Sequence, residues 1–120
     1  MKLSLISIER EMVRLEADGH ITSMDFNADG KSPFEQLLGL TWSRNVIALD
    51  LNKVPYIDSS AIGWLMASNK TLKEGGGSLV IHSLQPPVKQ VLDLLKVGRV
   101  LKIAEDEDGA RSLLAQGGVK

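Results

Sequence analysis

Residues 45–65 read NVIALDLNKVPYIDSSAIGWL, and the order of side chains in this stretch decides the fold. From Asn45 to Leu51 the chain is apolar almost without interruption, with polar residues only at the edges and at Asp50. A strand with one wet face would alternate, so a run of this kind reads as a strand covered on both faces. Val54-Pro55-Tyr56-Ile57 follows, and then Asp58, Ser59 and Ser60, three residues that each make a good helix N-cap. The spacing of Ile62, Leu65, Met66 and Leu72 predicts a helix from there, stopped by Gly75-Gly76-Gly77.

Outward from this unit the pattern repeats. Ser78 to Leu84 (SLVIHSL) reads as a second buried strand and Val100 to Ala104 as a weaker one. Val88, Val91, Leu92 and Leu95 mark a helix opened by Pro86-Pro87, and Ala110, Leu113 and Leu114 mark a short last one. On the N-terminal side, Phe34, Leu37, Leu38 and Thr41 follow helical spacing, with Ser32 as N-cap and Pro33 in the first turn. Before it, Leu3 to Ile8 and Met12 to Ala17 read as two strands of a hairpin turning at Glu9 to Glu11. Parallel strands joined by helical crossovers are the economical way to bury such strands. The expectation is an α/β fold with a mixed sheet of four to five strands and four helices. It forms one domain over residues 1–116, followed by a disordered tail over 117–120.

Composition narrows the function. With 120 residues the chain has room for one core, and it carries 14 Lys plus Arg against 15 Asp plus Glu, a formal net charge of −1. No global field draws in a polyanion, so nucleic acid is not the expected partner. The absence of cysteine removes disulfides, thiolate metal sites and a Cys nucleophile together. Glu9, Arg10 and Glu11 interrupt the N-terminus before a secretory apolar core develops, and no window approaches the ~20 apolar residues of a membrane span. The default expectation is a cytoplasmic protein without a membrane-inserted segment.

Several residues are candidates for chemistry. Ser59 falls where a buried strand hands over to a helix, the edge at which open α/β sheets meet their ligands. A phosphate of charge about −1.5 to −2 is tolerated at a helix N-terminus and would change what docks there. The plainer reading is that Asp58-Ser59-Ser60 is a helix cap and nothing more. A hydrolase built from Ser59, Asp58 and His20 or His82 is disfavoured, because an adjacent Asp does not reach round to orient a distant His and no Gly-x-Ser-x-Gly frame is present. Gly75-Gly76-Gly77 precedes a strand, whereas a phosphate loop precedes a helix. Asp25, Asn27, Asp29 and Gly30 follow the opening order of a calcium loop, but Gln36 stands where the bidentate Glu belongs, so no metal is expected. Trp64 lies nearly opposite Ile62, Leu65 and Met66 on a helical wheel; it either anchors an interface or packs beneath a loop. Val88 to Val97, with Lys89, Lys96 and Arg99 nearby, reads as core packing in preference to a surface for partners or membranes.

Leu49-Asp50-Leu51, Val54-Pro55 and Asp58-Ser59-Ser60-Ala61-Ile62-Gly63 resemble the signature of STAS domains, the anti-sigma factor antagonists and their relatives in bacterial signalling. Gly75-Gly76-Gly77 before Leu79-Val80-Ile81, and then Pro86, Val88-Lys89, Leu92 and Asp93, continue the resemblance, which runs from about Leu3 to Leu114. It implies a sheet of mixed strands beside four helices, no catalysis and no cofactor. It also implies reversible phosphorylation of the first serine, Ser59, by a partner kinase that is itself an anti-sigma factor. The partner-binding candidates are Asp58, Ser59, Ser60 and Thr22 by this resemblance, and Trp64 by its place on the helical wheel. Two positions depart from the pattern. Ala61 replaces a glycine, adding a methyl group in the first helical turn, and Thr22 stands where many phosphorylated members carry an Asp near the acceptor. The alternative implied by Thr22 is a STAS subunit that is not phosphorylated and serves a stress-signalling scaffold or a lipid-transport complex.

Overall fold

In the computed structural model, residues 1–10, 12–26 and 32–118 are described. They form five strands and four α-helices: β1 (Lys2–Ile8), β2 (Val13–Asp18), α1 (Pro33–Leu38), β3 (Val46–Lys53), α2 (Ser59–Glu74), β4 (Ser78–His82), α3 (Pro86–Leu94), β5 (Lys102–Ala104) and α4 (Glu107–Gly118). The sheet order is β1-β2-β3-β4-β5. β1 runs antiparallel to β2, as the hairpin pattern predicts, and the other pairs are parallel. Ile47 pairs with Val13 on one side and with Leu79 on the other, so the strand read as covered is the central one.

Alternation along the strands divides the buried side chains between two faces. Val13, Leu15, Ile47, Leu49, Leu51, Leu79 and Ile81 join one core with residues of α1, α2 and α3. Three parallel crossovers advancing in one direction across a sheet place their helices on one face, because each is right-handed. The other face offers Met12, Ala48, Val80 and Ala104, and there Ala110 of α4 packs. An ion cluster fixes α4 to the hairpin turn. Glu9 accepts from Arg111 Nη1 at 2.9 Å and Nη2 at 3.2 Å, Arg111 Nε donates to Glu107 at 3.2 Å, and Arg14 pairs with Glu107. The Arg111 hydrogen bonds, followed by one from Ser7, hold the Glu9 carboxyl below the ordinary Glu range.

Local signals account for the ends of the elements. Ser32 Oγ accepts from Phe34 N at 3.2 Å, which is the N-cap that Ser32-Pro33 announces. α1 stops at Gly39, whose φ of 86° is outside the range of a helix, so Thr41 lies beyond it. α2 closes on Gly76 at φ 89°, a left-handed position that favours glycine, and Gly77 N donates to Leu72 O at 2.7 Å. A Cβ on Gly77 would strike the Asn45 carbonyl, so the triplet both ends the helix and lets the chain pass close to the start of β3. α4 runs to Gly118, and residues 119 and 120 of the expected tail lie outside the described residues.

Two faces differ from the sequence reading. The buried side of α2 is Ala61, Trp64, Leu65, Ser68, Asn69 and Leu72, whereas Ile62 and Met66 are half-buried. In α3 only Val88 and Leu92 are buried, with Val97 just beyond it; Val91, Leu94 and Leu95 are exposed. Core packing therefore accounts for part of that apolar stripe and not for the rest.

Candidate functional site

The site is assembled where β3 ends and α2 begins. Val54 and Ile57 are buried, Pro55 and Tyr56 are exposed, and Ile57 forms an isolated parallel bridge with Ile21. That bridge extends the β2–β3 pairing beyond the strands proper. Ile21 N donates to Tyr56 O at 3.1 Å, and Asp58 N donates to Ile21 O at 3.2 Å. Thr22 and Ser23 are thereby brought against the first turn of α2.

Asp58 is the N-cap, with both carboxylate oxygens engaged. Oδ1 accepts from Ala61 N at 3.0 Å, closing the helix, and Oδ2 accepts from Ser23 N at 3.1 Å, tying the neighbouring loop to the same point. Ser59 is consequently the first helical residue and not the cap. Its side chain is exposed, it makes no hydrogen bond among the described residues, and it stands at the positive end of a 16-residue helix. Ser60, one step on, is half-buried. Of the two hydroxyls, Ser59 is the more open to an enzyme.

The loop facing Ser59 has its own cap. Residues Ser23–Asp25 form a 3-10 turn in which Thr22 Oγ1 accepts from Met24 N at 3.4 Å and Asp25 Oδ2 accepts from Thr22 N at 2.8 Å. This reciprocal capping box has a sequence signature, Thr-x-x-Asp at 22–25, which overlaps the calcium-loop order. Asp25 Oδ1 also pairs with the Met1 ammonium at 2.7 Å. Partial burial alone would push its carboxyl up; the Met1 ammonium and the Thr22 N–H together outweigh that and hold it below the ordinary Asp value. Asn27, Asp29 and Gly30 lie outside the described residues, and among the described residues no acidic or His cluster is placed to hold a metal ion.

Trp64 does not face outward. It is 9% exposed and stacks on Phe34 at a centroid distance of 4.9 Å, with Phe26 at 5.4 Å, so its bulk supports the loop that carries Thr22. Of the two roles open to it, packing beneath a loop is the one found, because α1 and the segment through Phe26 cover a side of α2 that a helix lying on a sheet alone would leave open. The Ala61 methyl is likewise fully buried in the core, so it takes no room from an approaching enzyme. Exposed apolar groups on the two segments that meet at Asp58 are Met24, 90% exposed, and Tyr56, which carries His20 edge-on at 5.7 Å. Neither Met24 nor Tyr56 stood out in the sequence, since single exposed apolar residues carry no periodic signal.

The histidines are elsewhere engaged. His82 is buried on β4, opposite Asp50 on β3, with Nδ1 2.8 Å from Ser83 Oγ. Burial holds its imidazole below the ordinary His value, against the opposing pull of Asp50 and Glu107. No hydrogen bond joins either histidine to Ser59 among the described residues.

The STAS domain family model matches residues 5–110. The chain belongs to the STAS domain family. An anti-sigma F factor antagonist of Paenibacillus polymyxa is 28% identical over 64 residues, 53% of this chain and 55% of that protein. The chain thus matches about half the length of that curated relative. Among solved structures, a Thermotoga maritima protein assigned as an anti-sigma factor antagonist superposes with a TM-score of 0.77 at 24% identity, covering 91% of this chain and 92% of that one. The Bacillus cell fate determinant SpoIIAA in its phosphorylated form gives a TM-score of 0.58 at 17% identity, covering 93% and 99%. At these identities the structures establish the STAS fold. No helix among the described residues is long and apolar enough to cross a membrane.

Proposed function

We propose that this STAS protein is a regulatory protein-binding module of the anti-sigma factor antagonist type, released from its partner when Ser59 is phosphorylated. The partner is a cytoplasmic protein kinase that is itself an anti-sigma factor, and the module performs no catalysis of its own. The observation that carries this reading is the exposed, unbonded Ser59 hydroxyl on the first turn of α2, with Asp58 beside it already committed as cap. The helix N-terminus tolerates the added dianion, so the fold survives, while any acidic or apolar surface seated there meets a new charge. The SpoIIAA fold relative has been solved phosphorylated, in keeping with a switch of this chemistry.

The test is transfer of labelled phosphate from a candidate kinase to the wild type, Ser59→Ala and Ser60→Ala. Label is expected on the wild type and Ser60→Ala and absent from Ser59→Ala. Equal labelling of Ser59→Ala removes Ser59 from the mechanism.

A second reading rests on Thr22. Its hydroxyl is spent on the 3-10 turn, and the nearest acid along the loop, Asp25, is held by Met1 and Thr22 N. Neither supplies a free carboxylate to an acceptor serine. This favours a subunit of a stress-signalling scaffold or lipid-transport complex that docks through the same turn without phosphorylation. Under that reading no kinase labels the chain at all.

A further inference from the structure

The last turn of α3 and the segment after it carry an apolar surface that the fold leaves uncovered. A helix needs an apolar stripe of roughly 100° to join a core. α3 spends Val88 and Leu92 on that, yet Val91, Leu94 and Leu95 continue the apolar face round to the solvent side. Leu94 is 80% exposed and Leu95 57%, so both side chains stand clear of their surroundings. Lys96 then adopts a left-handed conformation, φ 56°, and the chain turns through Val97–Arg99 to Val100, another exposed apolar residue. Lys89, Lys96 and Arg99 are exposed in the same stretch of chain, and none enters an ion pair among the described residues. Between Pro86 and Lys102 four cations face Asp93 alone, within a chain whose net charge is −1.

We infer that this surface seats the protein on an anionic lipid bilayer, with Leu94 and Leu95 entering the headgroup boundary and Lys89, Lys96 and Arg99 meeting the lipid phosphates. Protruding leucines in a stretch rich in exposed long cations suit an interface in which apolar side chains sink about 5–10 Å and basic heads reach up to the surface. The positive charge is concentrated where the apolar side chains protrude, which is the complement of an acidic leaflet. Topology adds that β4, parallel to β3, ends at the same end of the sheet as the Ser59 turn, and α3 runs back from there. Its last turn therefore lies toward the opposite end of the strands. A protein seated this way presents the Ser59 turn away from the bilayer, so the inference stands independently of the Ser59 switch.

The experiment is co-sedimentation of the full chain with vesicles of phosphatidylcholine alone and of phosphatidylcholine mixed equally with phosphatidylglycerol, at low and high salt. Binding to the mixed vesicles is expected, reduced by salt and absent from phosphatidylcholine alone. Leu94→Glu with Leu95→Glu should weaken it roughly tenfold or more. Lys96→Glu with Arg99→Glu should weaken it independently, and circular dichroism should show both variants folded. Failure of the wild type to sediment with the acidic vesicles overturns the proposal. So does binding indifferent to the leucine pair, which would leave charge alone. Wild type that ignores vesicles but self-associates, with the leucine variant monomeric, would assign the surface to a second copy instead.

Discussion

The two faces of α2 are built on different terms. The inner face is closed: Ala61, Trp64, Leu65, Ser68, Asn69 and Leu72 are all buried, and even the polar Asn69 is satisfied, its Nδ2 donating to Val100 O at 3.2 Å. The outer face is bare: Ser59, Gly63, Ala67 and Lys70 are exposed, and an added Cβ on Gly63 would meet nothing within 4 Å. Packing accounts for the first set, although the Trp64 indole Nε1 is buried without a hydrogen-bond partner, and for little of the second. What the outer residues are has to be explained by what approaches them.

Substitutions on the two faces should therefore differ in what they cost. The largest effect is expected from Trp64→Ala, which empties the space between Phe26 and Phe34 and should cost about 3–5 kcal/mol of unfolding free energy. Ser59→Ala on the outer face serves as its control, within about 0.5 kcal/mol of wild type. Urea unfolding of both decides; similar losses would erase the distinction between the faces.

Asp58 sits on the boundary, since one oxygen closes the helix and the other holds Ser23. Asp58→Ala should cost about 1–2 kcal/mol. It should also speed hydrogen exchange at the amides of Ser23 and Met24, because the loop loses its tie to the helix. Exchange unchanged there would mean that the Thr22–Asp25 cap holds the loop without Asp58.

The smallest expected change is a gain. Gly63→Ala should raise helix stability by about 0.5–1 kcal/mol, since alanine loses less backbone freedom than glycine and the added methyl group meets open space. Docking of a partner on that face should weaken at the same time. A fall in stability would show that the outer face is packed after all.

The fold was readable because its strands declare themselves: unbroken apolar runs at β3 and β4, and glycine or proline at the element ends, leave few alternatives. The inner face of α2 was not, because Ser68 and Asn69 interrupt the stripe and Ala61 is too small to mark it. Asn69 is made tolerable by Val100, far along the chain, which no local pattern reports. Trp64 was ambiguous for a related reason, as its partners Phe26 and Phe34 come from a segment that only the tertiary fold lays across α2. Ser59 was placed correctly at the helix start, since Asp-Ser-Ser after a buried strand is itself a capping signal. That Asp58 takes the cap, leaving Ser59 free, depends on the carboxylate reaching both Ala61 and Ser23.

The most direct measurement is calorimetric titration of the kinase partner against the unmodified protein and against the same protein phosphorylated at Ser59. The account predicts that the phosphate weakens binding at least roughly tenfold, through charge placed at the docking surface, with the unfolding midpoint little changed. Equal affinity of the two forms would contradict it.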